Sequence, residues 1–392
     1  MRAARASAIG AATTVVCVLP VYLTGTMVTQ IREEFTFGAA GLGVAAAIFW
    51  AVNAMSSVPL GGMADRLGPR WSIRVAATIA LTSGLGIALL STQWWHLVAW
   101  LSLAGAAHAI GHPAANGLLV DAVPMGRLGL AFGIKGAAPP VASMLAGIGV
   151  PIVAVTLGWR AGFLIAALFA CLVLLATRGD WLGRVPATGA GQSPPRPTAA
   201  DQSLRNGPSV LAVAISFGLG TATSASVTVF YVEAATRAGT SPALAGSILA
   251  VASTASVLVR VLSGHFADRL GDNQLRNCAL MLGCGSFGVV LLATGNPVAM
   301  AVGVVVAMVG TWGFQALFWY ALVLKYQDTP GRITGAVQPG AAVGGSVGPL
   351  LFGVAAGATL PGAWLGAAAL GLVAAMLLAA SAPGLGRAIA EA

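Results

Sequence analysis

One eight-residue pattern occurs twice in this chain, with its two copies 203 residues apart. The first copy is Gly-Gly-Met-Ala-Asp-Arg-Leu-Gly at 61–68, and the second is Gly-His-Phe-Ala-Asp-Arg-Leu-Gly at 264–271. Each copy follows a long apolar segment and forms a short charged turn before the next one. A repeat at this distance indicates a duplicated chain, so we expect two halves of similar architecture.

The composition indicates that these halves fold in a membrane. Charged residues make up only 8% of the chain and hydrophobic residues 57%, whereas an ordinary soluble protein has roughly 25% charged residues. Apolar runs of about 20 residues, long enough to cross roughly 30 Å of hydrocarbon, recur along the sequence. We predict an all-α membrane protein with about twelve transmembrane helices.

The predicted helices form two bundles of six. The first six span 8–30, 41–63, 71–93, 95–120, 128–156 and 159–177, and the second six span 207–233, 242–264, 275–293, 296–325, 333–357 and 361–383. The stretch between them is rich in Gly, Pro, Ser and Arg, which is typical of a solvated linker. We therefore predict an N-terminal bundle at 1–177, a cytoplasmic linker at 178–206 and a C-terminal bundle at 207–392.

Basic residues are distributed unevenly over this topology. Most of them fall on the side of the N-terminus, whereas only Arg32, Arg160 and Arg237 fall on the opposite side. This is the positive-inside pattern, so we expect a multi-pass protein of the cell inner (plasma) membrane with both termini in the cytoplasm. The same pattern accounts for the net charge of +9 without nucleic acid as a partner.

Several features together resemble the major facilitator superfamily of secondary transporters. They are twelve helices in two parallel sixes, a long central cytoplasmic loop, and G-x-x-x-D-R-x-G after helix 2 and again after helix 8. The resemblance covers essentially the whole chain, although Pro69 stands where the family usually has a basic residue. It implies two pseudo-symmetric bundles that work by alternating access.

The charges of the repeated pattern are candidates for conformational gating. Gly61 and Gly264 would let neighbouring helices approach closely. The acidic residues can face a helix N-terminus, and the arginines can pair across the bundle interface. Alternatively, these charges only end helices at the lipid headgroups. The predicted gating residues are Asp65, Arg66, Arg70, Asp268 and Arg269.

The repeat distance also serves as a ruler for the membrane interior. Transporters built from parallel repeats bind substrate at the interface of the halves, so polar residues at equivalent positions are candidate ligands. Three pairs are polar in both halves: His112 with Gln315, Lys135 with Gln338, and Asn53 with Ser256.

Lys135 is the most informative of these residues. Ala138, Ala142 and Ala146 share its face of helix 5, so the lysine lies on a face of small residues. A cation inside the bilayer is costly and is usually retained for a pathway or a counter-ion. The alternative is that the side chain extends to the nearby cytoplasmic surface.

His108 and His112 lie four residues apart on one face of helix 4. An imidazole changes charge near neutral pH, and no carboxylate lies well inside the predicted helices, so these histidines are the candidate proton-coupling residues. They could instead serve in helix–helix hydrogen bonding. A zinc site is not expected, because no acidic or cysteine partner is near.

Two further groups complete the predicted binding site. Trp319 of helix 10 and Tyr231 of helix 7 could supply an aromatic wall. Arg260 precedes Gly264 by four residues, a spacing that resembles the helix 8 arginine that binds the substrate carboxylate in monocarboxylate carriers of the superfamily. The predicted substrate-binding residues are Lys135, His112, Arg260, Gln315, Gln338, Asn53, Trp319 and Tyr231.

The basic interior favours a secondary transporter of a small organic anion, for example a monocarboxylate, coupled to protons. Neither lysine follows a glycine, so the phosphate-binding loop of ATP-driven pumps is absent, and no hydrolase motif is present. We expect no enzyme activity, no cofactor and no metal; the expected partners are the substrate, protons and lipid. The alternatives are an exporter of neutral or amphiphilic drug-like compounds and, in a different class, a channel.

Overall fold

The computed structural model describes residues 2–178, 208–266, 274–325 and 330–390. Within these ranges the chain is helical and contains no β-strand. Eleven of the described helical stretches are long and apolar enough to cross a membrane, with mean hydropathy between 1.5 and 2.2. The chain is therefore an all-α, multi-pass membrane protein, as its composition predicts.

The N-terminal half contains helices 1 to 6. Helix 1 is Arg2–Thr26, and the short helix Val28–Arg32 follows it. Helices 2 and 3 are the two arms of one helical stretch, Ala39–Leu90, and helix 4 is Trp94–Ala122. Helix 5 is segmented, and helix 6 is Trp159–Ala176. The segments of helix 5 are Met125–Gly136, Ala138–Gly149, the π-helical Val150–Ala154, and Val155–Leu157.

The C-terminal half contains helices 7 to 12, and its described segments follow the same order. They are helix 7 at Pro208–Arg237, helix 8 at Pro242–Phe266, helix 9 at Gln274–Leu292, helix 10 at Pro297–Lys325, helix 11 at Pro330–Ala358 and helix 12 at Leu360–Ala390. Apart from Arg178, the predicted linker lies outside the described residues.

Helix 4 is the twelfth long helix, and it is not among the eleven apolar stretches. Its second half carries His108, His112 and Asn116, which lower its hydropathy. It packs against helix 1 and against the stretch that forms helices 2 and 3. The polar residues that set this helix apart include residues predicted to form the site.

The turn between helices 2 and 3 is shorter than predicted. Gly68 alone interrupts the helical stretch, with φ 74° and ψ 163°, and Pro69 starts the next arm. A positive φ is easy only for glycine, so this position explains the last glycine of the pattern. The close packing expected at Gly61 is not observed in this state, because a Cβ there would meet no atom of the described residues within 4 Å.

The two halves meet along three helix pairs: helix 1 with helix 7, helix 2 with helix 11, and helix 5 with helix 8. Glycines allow the backbones to touch. A Cβ on Gly43 would lie 2.5 Å from the carbonyl oxygen of Pro349, and one on Gly147 would lie 2.6 Å from that of Gly246. These contacts lie on the side opposite the N-terminus, which we call the far side; the N-terminal side is the near side.

The apolar core has three parts that follow the same division. One cluster combines residues of both halves at the far side, such as Leu23 and Leu42 with Phe230 and Phe352. The other two clusters lie toward the near side, and each belongs to one half. The halves are therefore joined by a common core at the far side and have separate cores at the near side.

Candidate functional site

Lys135 lies on the buried face of helix 5. Its side chain is only 4% exposed, and Ala138 and Ala142 on the same face are buried as well. By contrast, Ile134 and Ile148 are exposed. This burial pattern agrees with the predicted face of small residues. The ammonium group is held inside the bundle rather than extended to the membrane surface.

Two prolines follow Lys135 and change the hydrogen bonding of helix 5. In an α-helix, the carbonyl of residue i accepts from the N–H of residue i+4, and proline has no N–H. Pro139 and Pro140 therefore leave the carbonyls of Lys135 and Gly136 without their usual helical donors. The Gly136 carbonyl accepts instead from the Arg260 Nη1 group of helix 8, which belongs to the other half.

Arg260 is buried, with 4% exposure, and binds three neutral acceptors. Besides the Gly136 carbonyl, its Nε donates to the Trp312 carbonyl at 2.8 Å, and its Nη2 donates to Gln315 Oε1 at 2.7 Å. The guanidinium also lies 5.5 Å from the centre of the Trp312 ring. The predicted residues Arg260 and Gln315 are thus in direct contact, and Arg260 connects the two halves.

The two histidines of helix 4 form a second group in the N-terminal half. His108 Nδ1 lies 3.0 Å from Asn53 Oδ1 of helix 2. An amide oxygen can only accept, so this contact places a proton on Nδ1 of His108. The His112 ring is 5.4 Å from the His108 ring. Three predicted residues, Asn53, His108 and His112, therefore come together, and Lys135 lies on helix 5, which contacts helix 4.

Tyr22 of helix 1 joins the Arg260 group, although the sequence did not single it out. Its ring meets the Trp312 ring edge-on, with centroids 6.4 Å apart, and Arg260 lies 5.5 Å from the centre of the same Trp312 ring. The Tyr22 hydroxyl is buried and has no hydrogen-bond partner among the described residues. Trp312 in turn donates from Nε1 to Thr228 Oγ1 at 2.9 Å. The second half of helix 1 therefore contributes to the site.

The charged side chains of this region, Lys135 and Arg260, are both positive. No ion pair recorded for the described ranges includes Lys135 or Arg260. Glu233 is the buried carboxylate of the same ranges, and it lies at the far end of helix 7. There its Oε1 accepts from Arg32 at 2.7 Å and from Arg237. The interior cations are therefore not neutralised by this carboxylate.

Three predicted ligands have other surroundings. Tyr231 is 1% exposed and belongs to the far-side core that both halves share. Trp319 packs edge-on against Phe217 and Phe318, with centroids 4.9 and 5.4 Å apart. Gln338 is exposed at the near side of helix 11. The predicted aromatic wall is thus divided, because Tyr231 belongs to the core shared by both halves and Trp319 to the packing of the C-terminal half.

The predicted gating residues are only partly described. Arg66 is exposed, and Arg70 is half-buried and takes part in contacts. The side chain of Asp65 is not described, and Asp268 and Arg269 lie outside the described residues. Their role in gating stays a prediction.

A comparison with protein families gives the context of this site. The family model described as Major Facilitator Superfamily matches residues 10–349. The chain belongs to the major facilitator superfamily. A comparison with curated proteins found no match. The chain is accordingly a transporter of this superfamily, and the Lys135–Arg260 region lies between the two halves, where transporters of parallel-repeat architecture bind substrate.

Proposed function

We propose that this member of the major facilitator superfamily transports a small organic anion together with a proton. The observation that carries the proposal is the burial of Lys135 and Arg260 between the halves without a carboxylate partner in the described residues. A buried cation is costly unless a negative group compensates it. A carboxylate-bearing substrate provides this compensation when it binds.

The contacts between the halves support transport by alternating access. The far side is held closed by the shared core and by the glycine contacts of three helix pairs. The near-side cores are separate. We infer that the near side faces the cytoplasm, since most basic residues fall on it. Substrate then exchanges with the cytoplasm in this state, and rocking of the halves exposes the site to the far side.

The histidine pair supports proton coupling. His112 is partly exposed, while His108 is buried and fixed by Asn53. Lys135 lies on the neighbouring helix 5, and its positive charge opposes a second positive charge nearby. A bound anion reverses this effect, because it attracts a proton to the imidazole. Anion and proton are therefore expected to bind together, with His112 as the principal proton acceptor and His108 as the second.

Replacement of His112 tests this coupling. The His112→Gln variant has a glutamine at position 112, as the other half has at the equivalent position, Gln315. A glutamine side chain cannot bind and release a proton in this pH range. In proteoliposomes we expect anion exchange near the wild-type rate, but no accumulation driven by a pH gradient. One coupled proton gives about tenfold accumulation per pH unit, since one unit corresponds to about 1.4 kcal/mol.

The control is His96→Gln, because His96 is exposed and hydrogen-bonded to Thr92 outside the site. It should retain gradient-driven accumulation. If His112→Gln and His108→Gln both accumulate the anion as the wild type does, the proton-coupling proposal is wrong. Transport of neutral amphiphilic compounds without any carboxylate would favour the exporter alternative.

A further inference from the structure

The interior cations belong to two separate groups, one in each half. Lys135 is buried on helix 5, which contacts helix 4, the helix of His108 and His112. Arg260 of helix 8 lies with Trp312 and Gln315 of helix 10. The two groups adjoin at the backbone, where Arg260 binds the carbonyl of the residue that follows Lys135.

Unused donors accompany Arg260. The Tyr22 hydroxyl and the Ser256 Oγ are buried, and neither has a hydrogen-bond partner within the described ranges. Ser256 lies one turn before Arg260 on helix 8, so both side chains are on the same face of that helix. A buried hydroxyl without a partner is costly, and an incoming oxyanion can satisfy it. Arg260 itself has five N–H groups and holds only neutral acceptors in this state.

A single carboxylate cannot neutralise both cations. It carries one negative charge, whereas Lys135 and Arg260 together carry two positive charges, so one buried positive charge would stay without compensation. The N-terminal group contains imidazole, amide and ammonium, and the C-terminal group contains guanidinium, amide and hydroxyls. Neither includes an acidic side chain among the described residues.

We propose that the transported anion carries two acidic groups, as a small dicarboxylate does. One carboxylate binds Arg260 with the hydroxyls of Tyr22 and Ser256, and the other binds Lys135 beside His112. Such a ligand connects the N-terminal half to the C-terminal half. This inference rests on the proposed function, and it replaces the expected monocarboxylate by a dicarboxylate.

The test compares dicarboxylates with their own monoamides, which have nearly the same shape and one negative charge fewer. Malonate, succinate and glutarate are measured against malonamate, succinamate and glutaramate, by binding to the purified protein and by exchange in proteoliposomes. We expect the wild type to prefer at least one dicarboxylate over its monoamide by about tenfold or more, the usual effect of losing one buried charge contact.

The Lys135→Gln variant tests whether Lys135 binds the second carboxylate of the ligand. This variant should bind the dicarboxylate and its monoamide alike, whereas Arg260→Gln should lose both. The matched control is Arg276→Gln, which removes an exposed cation at the start of helix 9 and should retain the wild-type preference. Melting curves without ligand show whether each variant is folded.

The outcomes separate the two proposals. If the wild type binds monoamides as tightly as dicarboxylates, or if folded Lys135→Gln keeps the preference for the dicarboxylate, the inference is overturned while anion transport stands. If no carboxylate binds to the folded wild type, the proposed function fails and this inference fails with it.

Discussion

At the scale of single residues, the interior and the surface of this transporter use charge differently. Arg260 is buried and holds three neutral oxygen atoms, so its charge is available to a ligand. Arg160, by contrast, is at the start of helix 6 and donates to the carboxylate of Glu34, which lies in the loop before helix 2. Both side chains are more than a third exposed. Water and salt screen such a pair, so it contributes little stability.

The Glu34 pair gives a pH-dependent prediction. Hydrogen bonding from Arg160 is the main cause that holds the pKa of Glu34 below its ordinary value, and Trp159 Nε1 also donates to the carboxylate, at 3.1 Å. Because the folded pKa is lowered, the contact stabilises the protein above the ordinary pKa of Glu. This stabilisation is lost as the pH falls through the lowered value.

Glu34→Gln should therefore lower the melting temperature at pH 7, by an amount equivalent to at most about 1 kcal/mol. At a pH below the lowered pKa, the variant and the wild type should melt alike. Glu33→Gln is the control, because Glu33 is an exposed neighbour of the same charge. A difference between Glu34→Gln and the wild type that persists unchanged in acid would contradict this account.

At the scale of helices, the sequence predicted which elements form the site better than it predicted their contacts. Lys135, the histidines and Arg260 were identifiable because charged and titratable side chains are rare in apolar helices. Tyr22 was missed, since a tyrosine in helix 1 gains its role only by contact with Trp312 of the other half. Pro139 and Pro140 could have indicated the contact with Arg260 from the sequence. Two adjacent prolines within a helix lack the N–H groups that would otherwise bind two carbonyls one turn earlier.

Helix 11 allows a test of the far-side contact between helices. A Cβ on Gly353 would lie 2.6 Å from the Ala39 carbonyl oxygen, whereas one on Gly357 of the same helix would meet nothing within 4 Å. Gly353→Ala should therefore weaken far-side closure by about 1–3 kcal/mol, the usual cost of overpacking. Gly357→Ala should leave closure unchanged.

The measurement is the labelling, from the far side, of a cysteine placed at Ala235 with exposed Cys284 replaced by Ser. Ala235 is 1% exposed within the shared core, so labelling requires the far side to open. Labelling should be severalfold faster with Gly353→Ala than with Gly357→Ala. Equal rates would mean that helix 11 does not control closure.

At the scale of the whole molecule, one ion pair recorded among the described residues joins the halves at the far side. Glu233 is 4% exposed at the end of helix 7, and its Oε1 accepts from Arg32 of the N-terminal half and from Arg237 of its own helix. Its Oε2 is buried and has no partner within the described chain. Opening of the far side must separate Arg32 from Glu233, so this pair helps to set the balance between the two states.

Glu233→Gln should shift this balance toward the far-side-open state. Removing one partner of a buried ion pair costs about 3–5 kcal/mol, and here the loss falls on the closed state. The Ala235 cysteine should be labelled faster, and Arg32→Gln should have a similar effect. In the double variant the two effects should not add, because both substitutions remove the same contact between Arg32 and Glu233. Full additivity would show that Arg32 and Glu233 act independently.

The hydrogen bond between Arg260 and the Gly136 carbonyl limits which substitutions can remove it. Its acceptor is a main-chain oxygen, which every amino acid supplies, so a change of side chain at 136 does not delete it. The acceptor depends on position 140, where any residue other than proline restores an N–H that competes for the same oxygen. Mutation is thus most able to alter this connection between the halves at Arg260 itself and at Pro140, whose side chain forms no part of the bond.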